Sequence, residues 1–309
     1  MMDPLDVYRI AITADLRYRE IVLHRPGKEP RHVWQPSSEL RLIQRWCADR
    51  LLCALPIHAA CFSYVRNRNI SMHARRHSST SYLARIDIRH FFPSIRRHNV
   101  RSLIEGYKDM LRIETPREVD LLSGLVTRRD SLVIGSPSSP VISNAIMFDF
   151  DNKWSKICEG CHVIYSRYAD DIYVSASLPG ILSGLLLDLK NDLVSMPQFN
   201  FAINAEKDVF TSRKRLRRVT GIVLTPDRKM SIGRHEKRKI KGLIHKALSH
   251  ELGNKEIQSL LGKLSFVDGV EPTFSESLIR KYGEDFRKEL TALMRASRSN
   301  PGQPTGTTN

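Results

Sequence analysis

Two adjacent carboxylates, Asp170 and Asp171, stand between two short apolar runs in the stretch YSRYADDIYVSAS, residues 165–177. Like charges at the tip of a hairpin repel, and a turn alone does not need them. A divalent cation would relieve the repulsion, because Mg2+ takes a few carboxylates together with phosphate oxygens and water. A solvated surface turn is the competing reading. A third carboxylate on a neighbouring strand favours the metal, and Asp87 fits. It lies near the end of the run YLARIDI, in which Ile86 and Ile88 face one side and Arg85 and Asp87 the other.

The elements that must hold these carboxylates are legible from pattern. HVIYSRY and IYVSA are β-rich runs separated by little more than Ala-Asp-Asp, hence a hairpin. YREIVLH, RPGKEP and RHVWQP give another hairpin around a Gly/Pro turn. SSELRLIQRWCADRLLCAL reads as one helix capped by Ser37 or Ser38 and closed by Pro56. Thr115 and Glu118 form a capping box around Pro116, and Ser139 is the expected cap before Pro140. GILSGLLLDLKNDLV is amphipathic through Leu182, Leu185, Leu189 and Leu193. FNFAI and RRVTGIVL read as strands. From His235 to about Met294 the pattern is helical and basic, and the tail ASRSNPGQPTGTTN is polar and Gly/Pro-rich. Helices and strands mix without a βαβ rhythm, so the class is α+β.

Composition bounds the function. The chain has 309 residues, suiting two or three coupled subdomains, and carries 49 Lys and Arg against 33 acidic residues, a formal charge of +16. Such a balance points to nucleic acid or an anionic surface. It is concentrated: residues 206–246 hold fourteen Lys and Arg against four acidic residues. No apolar run approaches the ~18 residues of a membrane span, and MMDPLDVYRIAITADLRYRE lacks an apolar signal segment, so a cytoplasmic location is expected. The five cysteines, Cys47, Cys53, Cys61, Cys158 and Cys161, are expected to be reduced. CEGCH matches a haem-attachment pattern in form only, directly before an apolar strand. A single CxxC also lacks the second pair of a zinc site.

RIDIRHFFPSI, GSPSSPVISN, YADD and INAEK occur in this order. They resemble motifs A to D of the reverse transcriptase palm, and GKEPRHVWQPSSEL resembles the fingers hairpin of the same enzymes. The resemblance covers about residues 15–290. It implies a right-hand polymerase fold: N-terminal helix and fingers over 1–80, palm over 81–230 with a fingers insertion at about 96–130, a basic helical thumb or RNA-binding region over 231–295, and a disordered tail over 296–309. It also implies template-directed phosphoryl transfer from dNTPs by two Mg2+ ions, with Mn2+ as a substitute. One ion activates the primer 3′-hydroxyl and the other stabilises the leaving pyrophosphate. Asp87 and Asp170 would bridge both, with Asp171 the weaker or outer ligand. Arg31 matches the fingers cation on the triphosphate, with Arg25 and Lys28 looser candidates. Phe92 matches the aromatic that crowds the sugar 2′-position, while Phe91 is expected in the core. Lys207 matches the lysine that protonates pyrophosphate. Where the family reads Pro-Gln-Gly, this chain has Val133-Ile134-Gly135: Ile134 cannot hydrogen-bond as glutamine does, and Gly135 still permits close backbone approach to a nucleotide.

Two further elements resemble the retron branch. Val219-Thr220-Gly221 matches its Val-Thr-Gly element, and MHARRH its Asn-Ala-x-x-His element, with His73 for asparagine, Ala74 kept and His77 last. The resemblance implies an enzyme that binds its own structured noncoding RNA and primes from a 2′-hydroxyl of it. The product is multicopy single-stranded DNA, made in anti-phage defence alongside a separately encoded effector. Val219, Thr220, Gly221, His77, Lys237, Arg238 and Lys239 are the expected RNA-binding residues. The alternatives are a diversity-generating or group II-like reverse transcriptase, or a non-catalytic RNA-binding scaffold. The three carboxylates argue against the scaffold.

Overall fold

The computed structural model describes residues 3–25 and 27–299. In chain order the first half contains α1 (Pro4–Ile12), β1 (Tyr18–Arg25), β2 (Lys28–Pro36), α2 (Ser38–Trp46), α3 (Ile70–Arg76), β3 (Tyr82–Arg89), α4 (Phe91–Ser94), α5 (Arg97–Gly106), α6 (Lys108–Leu111), α7 (Pro116–Val126), α8 (Ser139–Ile146) and α9 (Phe148–Gly160). The second half contains β4 (Ile164–Tyr168), β5 (Asp171–Ala176), α10 (Ile181–Val194), β6 (Ala202–Ile203), β7 (Val209–Ser212), β8 (Arg217–Val219), β9 (Ile222–Leu224), β10 (Met230–Ser231), α11 (Arg234–Leu248), α12 (Asn254–Val270), α13 (Pro272–Tyr282) and α14 (Phe286–Ser299). Helices and short strands alternate without a βαβ rhythm, the α+β class. Among the described residues no helix is long and apolar enough to cross a membrane.

The chain forms two compact units. The first takes the chain up to residue 69 and residues 80–212; the second takes residues 70–79 and the chain from 213 onward. Residues 70–79 and 213–230, expected in the fingers and palm regions, thus group with the C-terminal helices.

In the first unit, β3 is the spine of an antiparallel sheet of order β4-β5-β3-β6, with β7 also paired to β3. Ile86 and Ile88 are buried on one face, as the alternation requires, beside Ile172 and Val174 of β5. Helix α10 packs against β5 and buries the four leucines read from its spacing, Leu182, Leu185, Leu189 and Leu193. Strands β1 and β2 form a separate hairpin, Tyr18 opposite Pro36 and Leu23 opposite Arg31.

Several local expectations need correction. The helix expected to run to Pro56 leaves α geometry after Trp46, passing through a wide π turn at Cys47–Leu51 and a 3-10 turn at Leu52–Ala54. The wide turn brings Cys47 and Leu52, both buried, toward the same side, which a straight α-helix would not do. Ser139 does not cap α8. Its hydroxyl donates to the Val133 carbonyl at 2.8 Å, and the capping position is Ser138. FNFAI supplies only the two residues of β6; Phe199 instead closes a turn, its amide donating to the Met196 carbonyl at 3.1 Å, and its ring stacks on that of Phe201 with centroids 4.9 Å apart. RRVTGIVL is two strands rather than one: β8 and β9 pair antiparallel with Val219 opposite Ile222. Thr220 and Gly221 are the connecting turn, both at positive φ (45° and 90°), as a tight hairpin demands. The capping box at α7 forms as read, with the Glu118 amide donating to Thr115 Oγ1 and the Thr115 amide to Glu118 Oε2.

In the second unit, β8, β9 and β10 form a three-stranded sheet with α3 packed against β8 and β9. Helix α12 packs against α11, α13 and α14, burying Leu260, Leu264 and Val267.

Candidate active site

The register of β3 against β5 sets Asp87 directly opposite Asp171. Cross-strand partners project to the same face, so their carboxylates share one surface. Asp170 lies between β4 and β5, and its carbonyl accepts the Ile88 amide at 2.9 Å. The Asp87 carbonyl accepts the Asn204 amide, also at 2.9 Å. The carboxylate-bearing turn is therefore stitched to the strand that carries Asp87. The preceding residue, Ala169, has φ +55°, a left-handed conformation rare for a side-chain-bearing residue.

The three carboxylates have unequal company. Asp87 is buried, and Lys207 Nζ lies 3.1 and 3.3 Å from its two oxygens. Burial raises the Asp170 pKa above the usual carboxylate range, and the charge of Asp87 adds to this; Lys207 and Arg31 oppose it. Burial pushes Asp171 up to about 6, against the Arg85 guanidinium beside it. Arg85 Nε stands 3.8 Å from Asp171 Oδ1, and the Tyr173 hydroxyl donates to Oδ2 at 3.4 Å. Arg85 also donates to the Lys207 carbonyl at 2.9 Å, so a single side chain braces two parts of the site.

The donor set fits a divalent cation. Asp171 Oδ1 is buried and accepts no hydrogen bond, and two carboxylates beside it are held in a like-charged group. Among the described residues no three His, Cys, Asp or Glu side chains converge on one point. Asp87 has Lys207 and Asp171 has Arg85 as its nearest cation, so pairing does not rank them; the motif resemblance names Asp87 and Asp170 as the pair that would hold the ion. Two carboxylates completed by phosphate and water suit Mg2+.

The other expected residues are distributed as follows. Arg31 is exposed on β2, and its charge reaches both Asp170 and Tyr64, opposing in part the rise that burial imposes on each pKa. The side chains of Arg25 and Lys28 lie outside the described residues. Phe91 is buried and Phe92 is half-buried, packed against the same core. Gly135, at φ +113°, makes its close approach to protein: a Cβ there would sit 2.5 Å from the Trp34 carbonyl oxygen. The Trp34 amide donates to the Ile134 carbonyl at 2.7 Å, and the Arg128 guanidinium lies over the Trp34 ring at 3.3 Å. Ile134 thus contributes its backbone to docking of the hairpin, and the glycine is required by packing.

Among the expected RNA-binding residues, Gly221 is exposed at the β8–β9 turn with Thr220 half-buried, and Val219 is buried. His77 is fully buried and cannot touch RNA directly. Burial holds it neutral, and its ring meets that of His73 edge-on at 5.7 Å. Lys237 forms an ion pair with Glu271 and lies over the Phe274 ring, whereas Arg238 and Lys239 are exposed. Sequence reading placed Arg85 on the polar face with Asp87 but gave it no role. It missed Tyr64, whose pKa is raised by burial and by the charge of Asp170. Nothing in the local sequence around Tyr64 signals that neighbour.

The family model for reverse transcriptase (RNA-dependent DNA polymerase) matches residues 23–246. The chain is 33% identical over 268 residues to the Retron Ec83 reverse transcriptase of Escherichia coli, covering 84% of this chain and 85% of that one. It is 30% identical over 269 residues to the Retron Ec73 reverse transcriptase of the same organism, covering 83% and 84%. A solved structure of apo telomerase from Candida Tropicalis shares the fold, with a TM-score of 0.52 at 11% identity over 91% of this chain. This chain spans only 57% of that one. The two strands that set Asp87 opposite Asp171, and the sequence likeness that surrounds them, make this chain an RNA-directed DNA polymerase of the retron reverse transcriptase family.

Proposed function

We propose that the chain copies part of a cognate structured noncoding RNA into multicopy single-stranded DNA, priming from a 2′-hydroxyl of that RNA. It would do so in the cytoplasm, in anti-phage defence with a separately encoded effector. The observation that carries the RNA-specific part is the packing of α3, which bears His73, Ala74 and His77, against β8 and β9, whose turn is Thr220-Gly221. Two elements distant in sequence, both resembling retron-specific motifs, support one another in one unit. Gly221, exposed at the turn, then offers RNA a backbone unobstructed by Cβ, with the Thr220 hydroxyl buried beneath it. Buried His77 fixes the helix behind it. Shape and unpaired bases supply specificity in such recognition.

At the active site, Asp87 and Asp170 would hold two Mg2+ ions, or Mn2+ in their place. When bound, such ions activate an attacking hydroxyl and stabilise the leaving pyrophosphate. The protein's side chains do the rest. Arg31 meets the dNTP triphosphate, and Phe92 limits space at the sugar 2′-carbon. Lys207, held at Asp87, is placed to give a proton to pyrophosphate.

Sequencing the nucleic acid that copurifies with the chain tests the reading. The expected product is one structured RNA joined through a 2′,5′ linkage to single-stranded DNA complementary to part of itself. Bulk cellular RNA without attached DNA would contradict it.

A further inference from the structure

Beneath the catalytic turn lies an ion pair that the reaction does not use directly. Arg167 of β4 and Asp151 of α9 are both fully buried. Arg167 Nε lies 2.9 Å from Asp151 Oδ1, and one terminal nitrogen lies 2.7 Å from Oδ2. The Tyr165 hydroxyl donates to Asp151 Oδ1 at 2.8 Å. The other terminal nitrogen of Arg167 donates to Asn144 Oδ1 at 3.2 Å and to the Ala169 carbonyl at 3.1 Å.

Burying two charges is costly, and well-packed apolar residues of similar volume commonly serve stability as well or better. The pair therefore calls for a reason beyond stability, and its contact with Ala169 supplies one. Ala169 immediately precedes Asp170 and is held at φ +55°. Its carbonyl is held by Arg167, and its amide donates to Ser63 Oγ at 2.8 Å. Asn144 completes the cage: its amide nitrogen donates to the Ser63 carbonyl at 2.9 Å while its oxygen receives Arg167. Asn144 lies on α8, the helix opened by the Gly/Ser/Pro motif. With Asp170's own carbonyl bound by Ile88, the main chain is pinned on both sides of the residue that bears the carboxylate. The local energy of a left-handed alanine opposes this conformation, so the surroundings must impose it.

We propose that Arg167 is a positioning residue for DNA synthesis: with Asp151, Asn144 and Ser63 it imposes the left-handed conformation of Ala169 and thereby fixes where the Asp170 carboxylate stands. The proposal rests on the reading that Asp170 is catalytic. Positions of reacting groups matter steeply, a displacement of about 1 Å costing about 100-fold in rate.

The test replaces the charged cluster by apolar groups of similar size, Tyr165→Phe/Asp151→Leu/Arg167→Met, leaving no unpaired charge. A second variant, Ser63→Ala, removes the acceptor for the Ala169 amide together with a 3.7 Å contact to Cys61 Sγ, and Ser63→Thr restores a hydroxyl. Melting temperature, affinity for structured RNA, kcat, KM for dNTP and Mn2+ binding to the RNA-free protein (read from the Mn2+ EPR signal) are measured for each. The triple variant should keep its RNA affinity and its KM while kcat falls about 100-fold. Its Mn2+ binding should weaken. Ser63→Ala should lose about tenfold in kcat, the scale of one hydrogen bond, with recovery in Ser63→Thr. A triple variant that fails to fold leaves the decision to the Ser63 pair. A folded variant of either kind with parental kcat and parental Mn2+ binding overturns the proposal. An Asp170→Asn protein assayed alongside separates the two claims: if it remains active, the catalytic assignment fails, whatever the cage does.

Discussion

At the scale of single residues, Asp171 and Phe92 show how neighbours assign roles that residue type leaves open. Asp171 is one of an adjacent acidic pair, yet Arg85 stands 3.8 Å from one of its oxygens and Tyr173 donates to the other, company that Asp170 is not given by its place in the sequence. Phe92 and Phe91 are adjacent aromatics with ring centroids 5.7 Å apart, but only Phe91 is fully withdrawn into the core. Phe92→Ala should raise incorporation of ribonucleotides relative to deoxyribonucleotides, because a smaller side chain opens space beside the 2′-carbon. Competition between dNTP and rNTP in single-turnover extension measures it. A folded variant with unchanged preference removes Phe92 from that role. Asp87, Asp170 and Lys207 were legible because each sits inside a short ordered motif. Arg167 and Asp151 were not, since their pairing joins a strand to a helix and neither residue stands out locally.

At the scale of elements, α3 and the β8–β9 hairpin carry the departures from the sequence reading. The four-leucine face of α10 follows from period alone, and so does the alternation of β3. The hairpin did not, because Val-Thr-Gly-Ile reads as a continuous β-rich run, and only the positive φ of Thr220 and Gly221 reveals the reversal. Gly221→Ala places a Cβ on the exposed turn at φ +90°. It should lower the melting temperature slightly and narrow the affinity gap between cognate and unrelated structured RNA. An unchanged gap in the folded variant would end the recognition role of the turn. Helix α3 makes a separate prediction. Burial lowers the His73 pKa from 6.5 to about 3, and that of His77 well below the same reference. A group whose pKa is depressed on folding contributes stability above its unfolded pKa. That stability is lost as pH falls from about 6.5 toward the folded value, by about 1.4 kcal/mol per pH unit for each proton taken up on unfolding. His73→Asn removes one of the two histidine protons, so the loss of stability measured by denaturant from pH 6.5 down to pH 5 should shrink by up to about 1.4 kcal/mol per pH unit relative to the parent, the raised carboxylates Asp170 and Asp171 contributing equally to both proteins. Parallel curves would contradict the buried neutral assignment.

At the scale of the whole molecule, the charge of +16 was the strongest bulk signal, and the structure sorts it by availability. Lys237 is tied to Glu271 and Arg287 to Asp268, whereas Arg238 and Lys239 stand exposed on α11. Counting charges could not separate these classes, because the pairings span different helices. Arg238→Gln/Lys239→Gln should therefore weaken binding to all RNAs and reduce the slope of log affinity against log salt by about 1.4, about 0.7 per released counterion on single strands. Lys237→Gln should lower the melting temperature with little change in that slope. An equal slope change from Lys237→Gln would show that its ion pair opens on RNA.

The account stands on Asp87 and Asp170 as the carboxylates of a metal-dependent polymerase. The most direct test is incorporation of a single dNTP by the purified chain on an RNA template, with Mg2+ present or chelated, for the parent and Asp170→Asn. The parent should extend the primer only with Mg2+. The variant should fall at least about a thousandfold, the scale of several kcal/mol of charge stabilisation lost at the transition state, while binding the same RNA with parental affinity. Near-parental synthesis by Asp170→Asn, or synthesis by the parent without a divalent ion, would contradict the account.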